Sequence, residues 1–182
     1  EQWRLHARGR LLRAGKSAPP AADLSAIQAA CATRVTAEEH YAGLLRHGLD
    51  FGPSLHGVTA VWRRDGEALG HIAQDVELAG DGAGDAGSLS LQPALLDAHI
   101  QVVAAAMAPD AGIYLPFSLD RCQVYRPGAQ PVWSHVRLRQ DATQHPAWHV
   151  FLSPAATAGA VTSHCRPAFA SGLRVVLATG GG

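Results

Sequence analysis

A carboxylate and a carboxamide share one face of an otherwise apolar helix predicted near the middle of the chain. Residues 91–107 have the sequence LQPALLDAHIQVVAAAM, in which Asp97 and Gln101 are four residues apart. Side chains at that spacing project from the same side of a helix. An ionised carboxylate is costly to bury without a partner, so the presence of Asp97 on this helix needs an explanation. Asp97 could be a catalytic acid, a hydrogen-bond acceptor with a structural role, or a residue at the edge of the helix that is exposed to water. The spacing alone leaves these interpretations open.

The helix itself is predicted from apolar residues that recur at helical spacing. Pro93 suits the first turn, where the missing N–H costs nothing, and Ser90 is a candidate cap. Pro109 and Gly112 are expected to end the segment. The apolar stripe that we expect to face the core consists of Leu96, Ile100, Val103 and Met107.

Composition narrows the class of protein. The 182 residues suffice for one domain with a sizeable core. Lys plus Arg and Asp plus Glu both number 15, which argues against a nucleic-acid or anionic-membrane surface. No run is long enough to span a membrane, and the polar N-terminus is not a signal peptide. It begins in a strand-like pattern, as expected of a segment from a longer polypeptide. The three cysteines, widely spaced and odd in number, predict a reducing, cytoplasmic setting without disulfides: Cys31, Cys122 and Cys165.

Short sequence motifs predict a second helix and a β-hairpin. Thr36 followed by Glu39 predicts a capping box, and the helix should run to about residue 47, with Gly48 as its C-cap. Asp65-Gly66 predicts a β-hairpin. The apolar face of this helix is expected to consist of Tyr41, Leu44 and Leu45.

Alternating hydrophobicity predicts six or so strands around the long helix. Strands without a repeated strand–helix–strand order favour an α+β fold with an antiparallel sheet. These strands cover residues 55–63, 67–78, 132–139 and 148–152, two strand pieces at 114–117 and 120–125, and one or two strands within 161–177; a further strand, 3–12, precedes the linker.

Two motifs suggest other functions only weakly. Residues 82–87, GAGDAG, match a dinucleotide-binding pattern, but two acidic residues and the lack of a following helix favour a flexible loop. His145 and His149 have the spacing of zinc ligands on a helix, but Pro146 breaks any helix there. No GxSxG elbow is present, so a serine hydrolase has no support.

Three passages together resemble the dehydratase domains of modular type I polyketide synthases. LQPALLDAHIQ (91–101) resembles the family's HPALLDxxxQ, YAGLLRHGLDFGPSLHG (41–57) its helix and YGPxFxG segment, and LPFS (115–118) its LPFS segment. The resemblance implies a double hot-dog, in which each half is an antiparallel sheet wrapped around one long helix. It assigns residues 36–178 to the C-terminal hot-dog and 1–14 to the last strand of the preceding one. Residues 15–35 would be the linker and 179–182 a disordered tail.

The resemblance also implies a reaction and roles for particular residues. The family removes water from a β-hydroxyacyl group, carried on the phosphopantetheine arm of an acyl carrier protein, to give an α,β-enoyl product. A histidine of the first hot-dog acts as base, and Asp97 matches the acid that protonates the leaving hydroxyl. Gln101 would orient the carboxyl or the substrate. The implied substrate contacts are Phe51, Gly52, Pro53, Leu115, Pro116 and Phe117, with no metal and no cofactor bound directly.

Three departures from the family pattern keep a second interpretation open. The chain lacks the first hot-dog with its HxxxGxxxxP base, Phe51 stands where the family often has Tyr, and Gln92 replaces the usual His. The chain is therefore expected to be incomplete alone, and its unpaired sheet edge predicts a homodimer or a partner half. The alternatives are a non-catalytic dehydratase-like domain that is structural or docks a carrier protein, and a hot-dog that binds acyl chains without chemistry.

Overall fold

The chain folds around the helix that carries Asp97, which packs against an antiparallel sheet. The computed structural model describes residues 22–73, 93–108, 114–121, 132–139, 147–153 and 173–179. For residues 114–121, 147–153 and 173–179, only the path of the backbone is described. The following predicted features lie outside the described residues: the strand 3–12, linker residues 15–21, the loop 82–87, the Ser90 cap, Gln92, Pro109, Gly112, Cys122, Cys165 and His145.

Within the described residues, seven strands form one sheet, and each strand pairs antiparallel with its neighbours. The predicted α+β class with an antiparallel sheet is thus confirmed. The strand order is β1-β2-β3-β5-β6-β7-β4, so β1 and β4 are the edges within the described chain. The strands are β1 (Thr33–Thr36), β2 (Val58–Arg64), β3 (Glu67–Ile72), β4 (Tyr114–Arg121), β5 (Trp133–Arg139), β6 (Ala147–Ser153) and β7 (Leu173–Thr179).

The described part of the chain contains three α-helices: α1 (Leu24–Ala30), which precedes β1, α2 (Ala37–Arg46) and α3 (Pro93–Gln101). The predicted capping box at the start of α2 is present, because Thr36 Oγ1 accepts from Glu39 N and Thr36 N donates to Glu39 Oε2. Gly48, just beyond α2, has φ +79°, a conformation that glycine adopts without strain. The start of this helix was therefore predicted correctly, whereas its C-cap is His47 and not the predicted Gly48, which follows it.

The long central helix changes character at its midpoint. The α-helix ends at Gln101 and continues as a 3₁₀ helix over Val102–Ala106. Arg63 closes this segment, since its guanidinium donates to the carbonyl oxygens of Ala105 at 2.6 Å and Met107 at 2.9 Å. Such carbonyls have no partner within a helix and favour a cation nearby. The 3₁₀ helix is thereby held against β2.

The face of the central helix that is buried most deeply differs from the predicted stripe. Val103 is buried, but Leu96, Ile100 and Met107 are only partly buried against the core. Two alanines are among the most deeply buried positions, and the prediction of the stripe was wrong in placing Leu96, Ile100 and Met107 deepest. The most buried positions are Ala98, His99, Val102, Val103 and Ala106.

Several predicted boundaries need correction. β2 begins at Val58 rather than residue 55, because Pro53–Leu55 form a 3₁₀ turn closed by Leu55 N to Gly52 O at 2.9 Å. β4 is one strand with two register shifts, where two pieces were predicted. The sheet begins at Thr33, inside the predicted linker, and Thr179 ends β7 where a disordered tail was predicted to start.

The buried imidazole of His40 on α2 makes stability depend on pH. Its side chain is 5% exposed, and among the described residues its Nε2 has no hydrogen-bond partner. Desolvation lowers the pKa of His40 from 6.5 to about 4. The unfolded chain therefore binds more protons between these values, and stability is lost as the pH falls from 6.5 towards 4.

We expect the free energy of unfolding to fall by about 2 kcal/mol between pH 7 and pH 5 because of His40 alone. The measurement is urea unfolding at both pH values for the wild type and for His40→Leu. The variant should lack that share of the pH dependence, while all other titrating groups contribute equally to both proteins. Parallel pH dependences in the two proteins would contradict the assignment.

Candidate active site

The side chains of Asp97 and Gln101 form a hydrogen-bonded pair on α3. Gln101 Nε2 donates to Asp97 Oδ2 at 2.7 Å, as the spacing of four residues leads one to expect. Asp97 is half-buried, whereas Gln101 is 5% exposed. The carboxylate thus lies at the boundary of the core with its orientation restricted by a buried carboxamide.

Gln101 is held in turn by two groups outside α3. Its Nε2 also donates to the backbone carbonyl of Leu55 at 3.1 Å. The Tyr41 hydroxyl donates to Gln101 Oε1 at 3.1 Å, and the backbone N–H of Val58 donates to the Tyr41 oxygen at 2.9 Å. A continuous chain of hydrogen bonds therefore runs from β2, through α2, to Asp97 on α3.

Tyr41 and His56 are members of this site that sequence reasoning missed. Tyr41 was assigned to the apolar face of α2, although a buried tyrosine hydroxyl normally needs a hydrogen-bond partner, which was the available signal. The His56 ring stacks on Tyr41, with centroids 3.9 Å apart and planes at 14°. His56 Nε2 lies 2.9 Å from the carbonyl oxygen of Phe51. Tyr41 is thus fixed through both its ring and its hydroxyl.

The environment of Tyr41 keeps its hydroxyl protonated. Burial raises the pKa of Tyr41 above 10.0, the N–H of Val58 opposes this effect, and the charge of Asp97 raises the pKa further. The phenol is therefore neutral at physiological pH and acts as a hydrogen-bond donor. This protonation state is what the contact with Gln101 Oε1 requires.

A groove of about 640 Å³ lies beside the network, between α2 and the segment that follows it. Phe51, a predicted substrate contact, lines the groove together with Tyr41 and His56. Gly52 and Pro53 are exposed next to it, and a Cβ added at Gly52 would meet nothing within 4 Å. The predicted FGP segment is therefore adjacent to the Tyr41 end of the Asp97 network.

The remaining predicted substrate contacts lie on the edge strand β4. Leu115 pairs with Ala178 and Pro116 with Leu177 of β7, and Phe117 follows them. Proline suits an edge position because it has no N–H to donate to a neighbouring strand. The side chains of β4 lie outside the described part of the chain, so their contact with a substrate stays a prediction.

A second polar cluster lies on the sheet face that points away from α3. Glu67 Oε1 lies 2.7 Å from His135 Nε2, and Arg64 Nε donates to Glu67 Oε2 at 2.7 Å. Burial tends to raise the pKa of Glu67, but its hydrogen bonds with His135 and Arg64 outweigh this effect and lower the pKa. Glu67 is therefore a paired, ionised group typical of a structural role.

Two further observations concern only the residues that the structure describes. They contain no cluster of three or more His, Cys, Asp or Glu side chains arranged to hold a metal ion. They also contain no helix that is both long enough and apolar enough to cross a membrane.

Comparison with known proteins identifies the family. Residues 19–153 match the family model described as the polyketide synthase dehydratase N-terminal domain. That description names the N-terminal domain, so it does not support our assignment of the chain to the C-terminal half. The mycoketide-CoA synthase of Mycobacterium tuberculosis is 37% identical over 134 residues, which are 74% of this chain and 3% of that protein.

Solved dehydratase structures have the same fold. The dehydratase domain from the CurF module of curacin polyketide synthase matches with a TM-score of 0.63 and 28% identity, over 90% of this chain and 51% of that one. A CurK dehydratase variant, described as inactive with an aspartate replaced by asparagine, matches with a TM-score of 0.61 and 26% identity, over 88% of this chain and 54% of that one. The chain thus spans about half of each solved domain, and the predicted hot-dog fold is confirmed. With its match to the family model over most of its length, the chain belongs to the polyketide synthase dehydratase family.

Proposed function

We propose that this chain is the C-terminal hot-dog half of a polyketide synthase dehydratase, in which Asp97 is the catalytic acid. The observation that carries the proposal is the half-buried Asp97 carboxyl, held at Oδ2 by the buried Gln101 amide. The similar CurK dehydratase that is described as inactive has an aspartate replaced by asparagine, which supports an aspartate as essential in the family. The assignment to the C-terminal half rests on the matches at residues 41–57, 91–101 and 115–118.

The proposed reaction removes water from a β-hydroxyacyl group on the phosphopantetheine arm of an acyl carrier protein. A base takes a proton from the α-carbon, and the electron pair left there forms the α,β double bond as the bond from the β-carbon to oxygen breaks. Asp97 gives its proton to the leaving hydroxyl, which departs as water. Because Oδ2 accepts the Gln101 N–H, we assign the transferred proton to Oδ1.

The base is proposed to come from the N-terminal hot-dog half, as the family resemblance implies. The length of the chain is consistent with this, since it spans about half of the solved dehydratase domains. Among the described residues, His56 is the histidine that stacks on Tyr41 of the network. Its Nε2 already lies within hydrogen-bond distance of the Phe51 carbonyl oxygen, so we do not assign it as the base. We therefore propose that the reactive cavity forms only when both halves meet, with the FGP segment and Leu115–Phe117 contacting substrate.

Reconstitution tests this proposal directly. We expect the chain alone to convert no β-hydroxybutyryl-acyl carrier protein, and the chain plus the N-terminal half of the same synthase to release the enoyl product. Mass spectrometry of the carrier protein measures the loss of one water. The matched control is the N-terminal half with the histidine of its HxxxGxxxxP motif replaced by alanine, which should be inactive.

Two results would overturn the proposal. Dehydration by the chain alone would mean that its base lies within these residues. Absence of dehydration by the assembled halves would favour the alternative that Phe51 and Gln92 suggest, a non-catalytic domain that is structural or docks a carrier protein.

A further inference from the structure

We propose that Tyr41 is a positioning residue for the dehydration, because it fixes which end of the Gln101 carboxamide faces Asp97. This inference rests on the proposed function and deepens it. The Tyr41 hydroxyl reaches Asp97 only through Gln101, to whose Oε1 it donates, while Gln101 Nε2 donates to Asp97 Oδ2.

The orientation of the carboxamide decides whether Asp97 can act as an acid. With Nε2 towards Asp97, Gln101 donates a hydrogen bond, stabilises the carboxylate that remains after proton transfer, and leaves the acid proton for the substrate. With Oε1 towards Asp97, Gln101 would accept that proton in a hydrogen bond and stabilise the protonated acid. The two orientations have nearly the same shape, so neighbouring groups must select between them.

The hydrogen-bond partners of Tyr41 determine the direction of its own donation. The N–H of Val58 donates to the hydroxyl oxygen at 2.9 Å, so the single hydroxyl hydrogen must point elsewhere. Two acceptors are within reach: Gln101 Oε1 at 3.1 Å and the Leu55 carbonyl at 3.4 Å. The nearer acceptor is Oε1, and the Leu55 carbonyl already accepts from Gln101 Nε2 at 3.1 Å.

The flipped carboxamide is disfavoured at both of its ends. Oε1 would then lie about where Nε2 now contacts the Leu55 carbonyl, which would bring two acceptors together without a hydrogen between them. The Tyr41 hydroxyl would face an amide donor and lose its nearer acceptor, which leaves it the Leu55 carbonyl at 3.4 Å. Because Gln101 is buried, lost hydrogen bonds are not replaced by water, which makes the selection strong.

The first test is a double-mutant cycle in the reconstituted dehydratase. Tyr41→Phe removes the hydroxyl but keeps the ring that stacks on His56. We expect kcat to fall about 10-fold, the effect of losing a hydrogen bond to a buried polar group, with KM changed less than about 2-fold. In a Gln101→Ala background, Tyr41→Phe should cause no further loss, because its effect passes through the missing amide.

The matched control for a lost buried hydroxyl is Ser134→Ala. Ser134 Oγ donates to the carbonyl of His99 on α3 at 2.9 Å, so this variant also removes a buried hydrogen bond to the same helix. It should leave kcat within about 2-fold of the wild type, because Ser134 has no link to the Gln101 amide. An equal fall of kcat in both variants, or an additive cycle with Gln101→Ala, would overturn the proposal.

A second test does not depend on activity, so it separates failure of this inference from failure of the proposed function. In the unmodified chain, NOE cross-peaks from the side-chain amide protons of Gln101 should be stronger to protons of Leu55 than to the ring protons of Tyr41, because Nε2 contacts the Leu55 carbonyl and Oε1 contacts the Tyr41 hydroxyl. The reverse order of intensities, with the stronger cross-peaks to the Tyr41 ring, would mean the flipped orientation and overturn the inference, whatever Asp97 does. If Tyr41→Phe does not fold, this measurement decides alone.

Discussion

Asp97→Asn is expected to lower kcat of the reconstituted dehydratase by about 10²- to 10⁴-fold, the usual contribution of a general acid. The substituted amide keeps the size of the side chain and an oxygen that can accept from Gln101, but it has no acid proton for the leaving hydroxyl. KM should change little, because the substrate still fits the same cavity. The measurement is steady-state release of enoyl product from a β-hydroxyacyl carrier protein.

Asp65→Asn supplies the matched control, since it makes the same chemical change at an exposed position. The Asp65 side chain is 91% exposed in the hairpin turn, and its contact with Arg63 spans 3.6 Å. An exposed pair of this kind contributes little to stability, and Asn-Gly is as favourable in such a turn as Asp-Gly. Turnover of the control should match the wild type. Unchanged turnover in Asp97→Asn would show that another group protonates the leaving hydroxyl.

The parts of the site that the sequence predicted are those set by local spacing. Asp97 and Gln101 form the expected pair because residues four apart on a helix always lie side by side. The capping box of Thr36 and Glu39 is equally local. Local spacing could not predict the hydrogen bonds of Tyr41. Its partners Val58 and Gln101 are 17 and 60 residues away along the chain and meet it only in the folded protein.

The error in the buried face of α3 has a different physical cause. The prediction used large apolar residues to define the face, and so selected Leu96 and Ile100. Where a helix lies close to a sheet, small residues allow the closest approach, and Ala98 is fully buried. The alternation along β3 likewise gave no sign that Gly70 would lie directly beneath Val102. Close packing of this kind depends on shape in three dimensions rather than on hydrophobic periodicity.

That close approach leads to the largest expected effect on stability, for Gly70→Ala. A Cβ built on Gly70 would lie 2.3 Å from Val102 Cγ2 and 3.0 Å from Val102 Cγ1. Both residues belong to rigid elements, since Gly70 pairs with Val61 and Ser134 in the sheet and Val102 is completely buried. We expect the added methyl group to lower the free energy of unfolding by about 3 kcal/mol, measured by urea unfolding.

The control and the rescue make this prediction specific to the contact. Gly43→Ala makes the same substitution inside α2, where the nearest atom is an Arg46 guanidinium nitrogen 3.6 Å away, and should stabilise the chain by about 0.5–1 kcal/mol. Val102→Ala removes the methyl groups that the new Cβ would meet. Combined with Gly70→Ala, it should cost at least about 1 kcal/mol less than the sum of the two single changes, because the atoms that clash are gone. Strict additivity would mean that the 3₁₀ helix that follows α3 can move away from β3, and that the sheet does not hold the helix bearing Asp97 at a fixed distance.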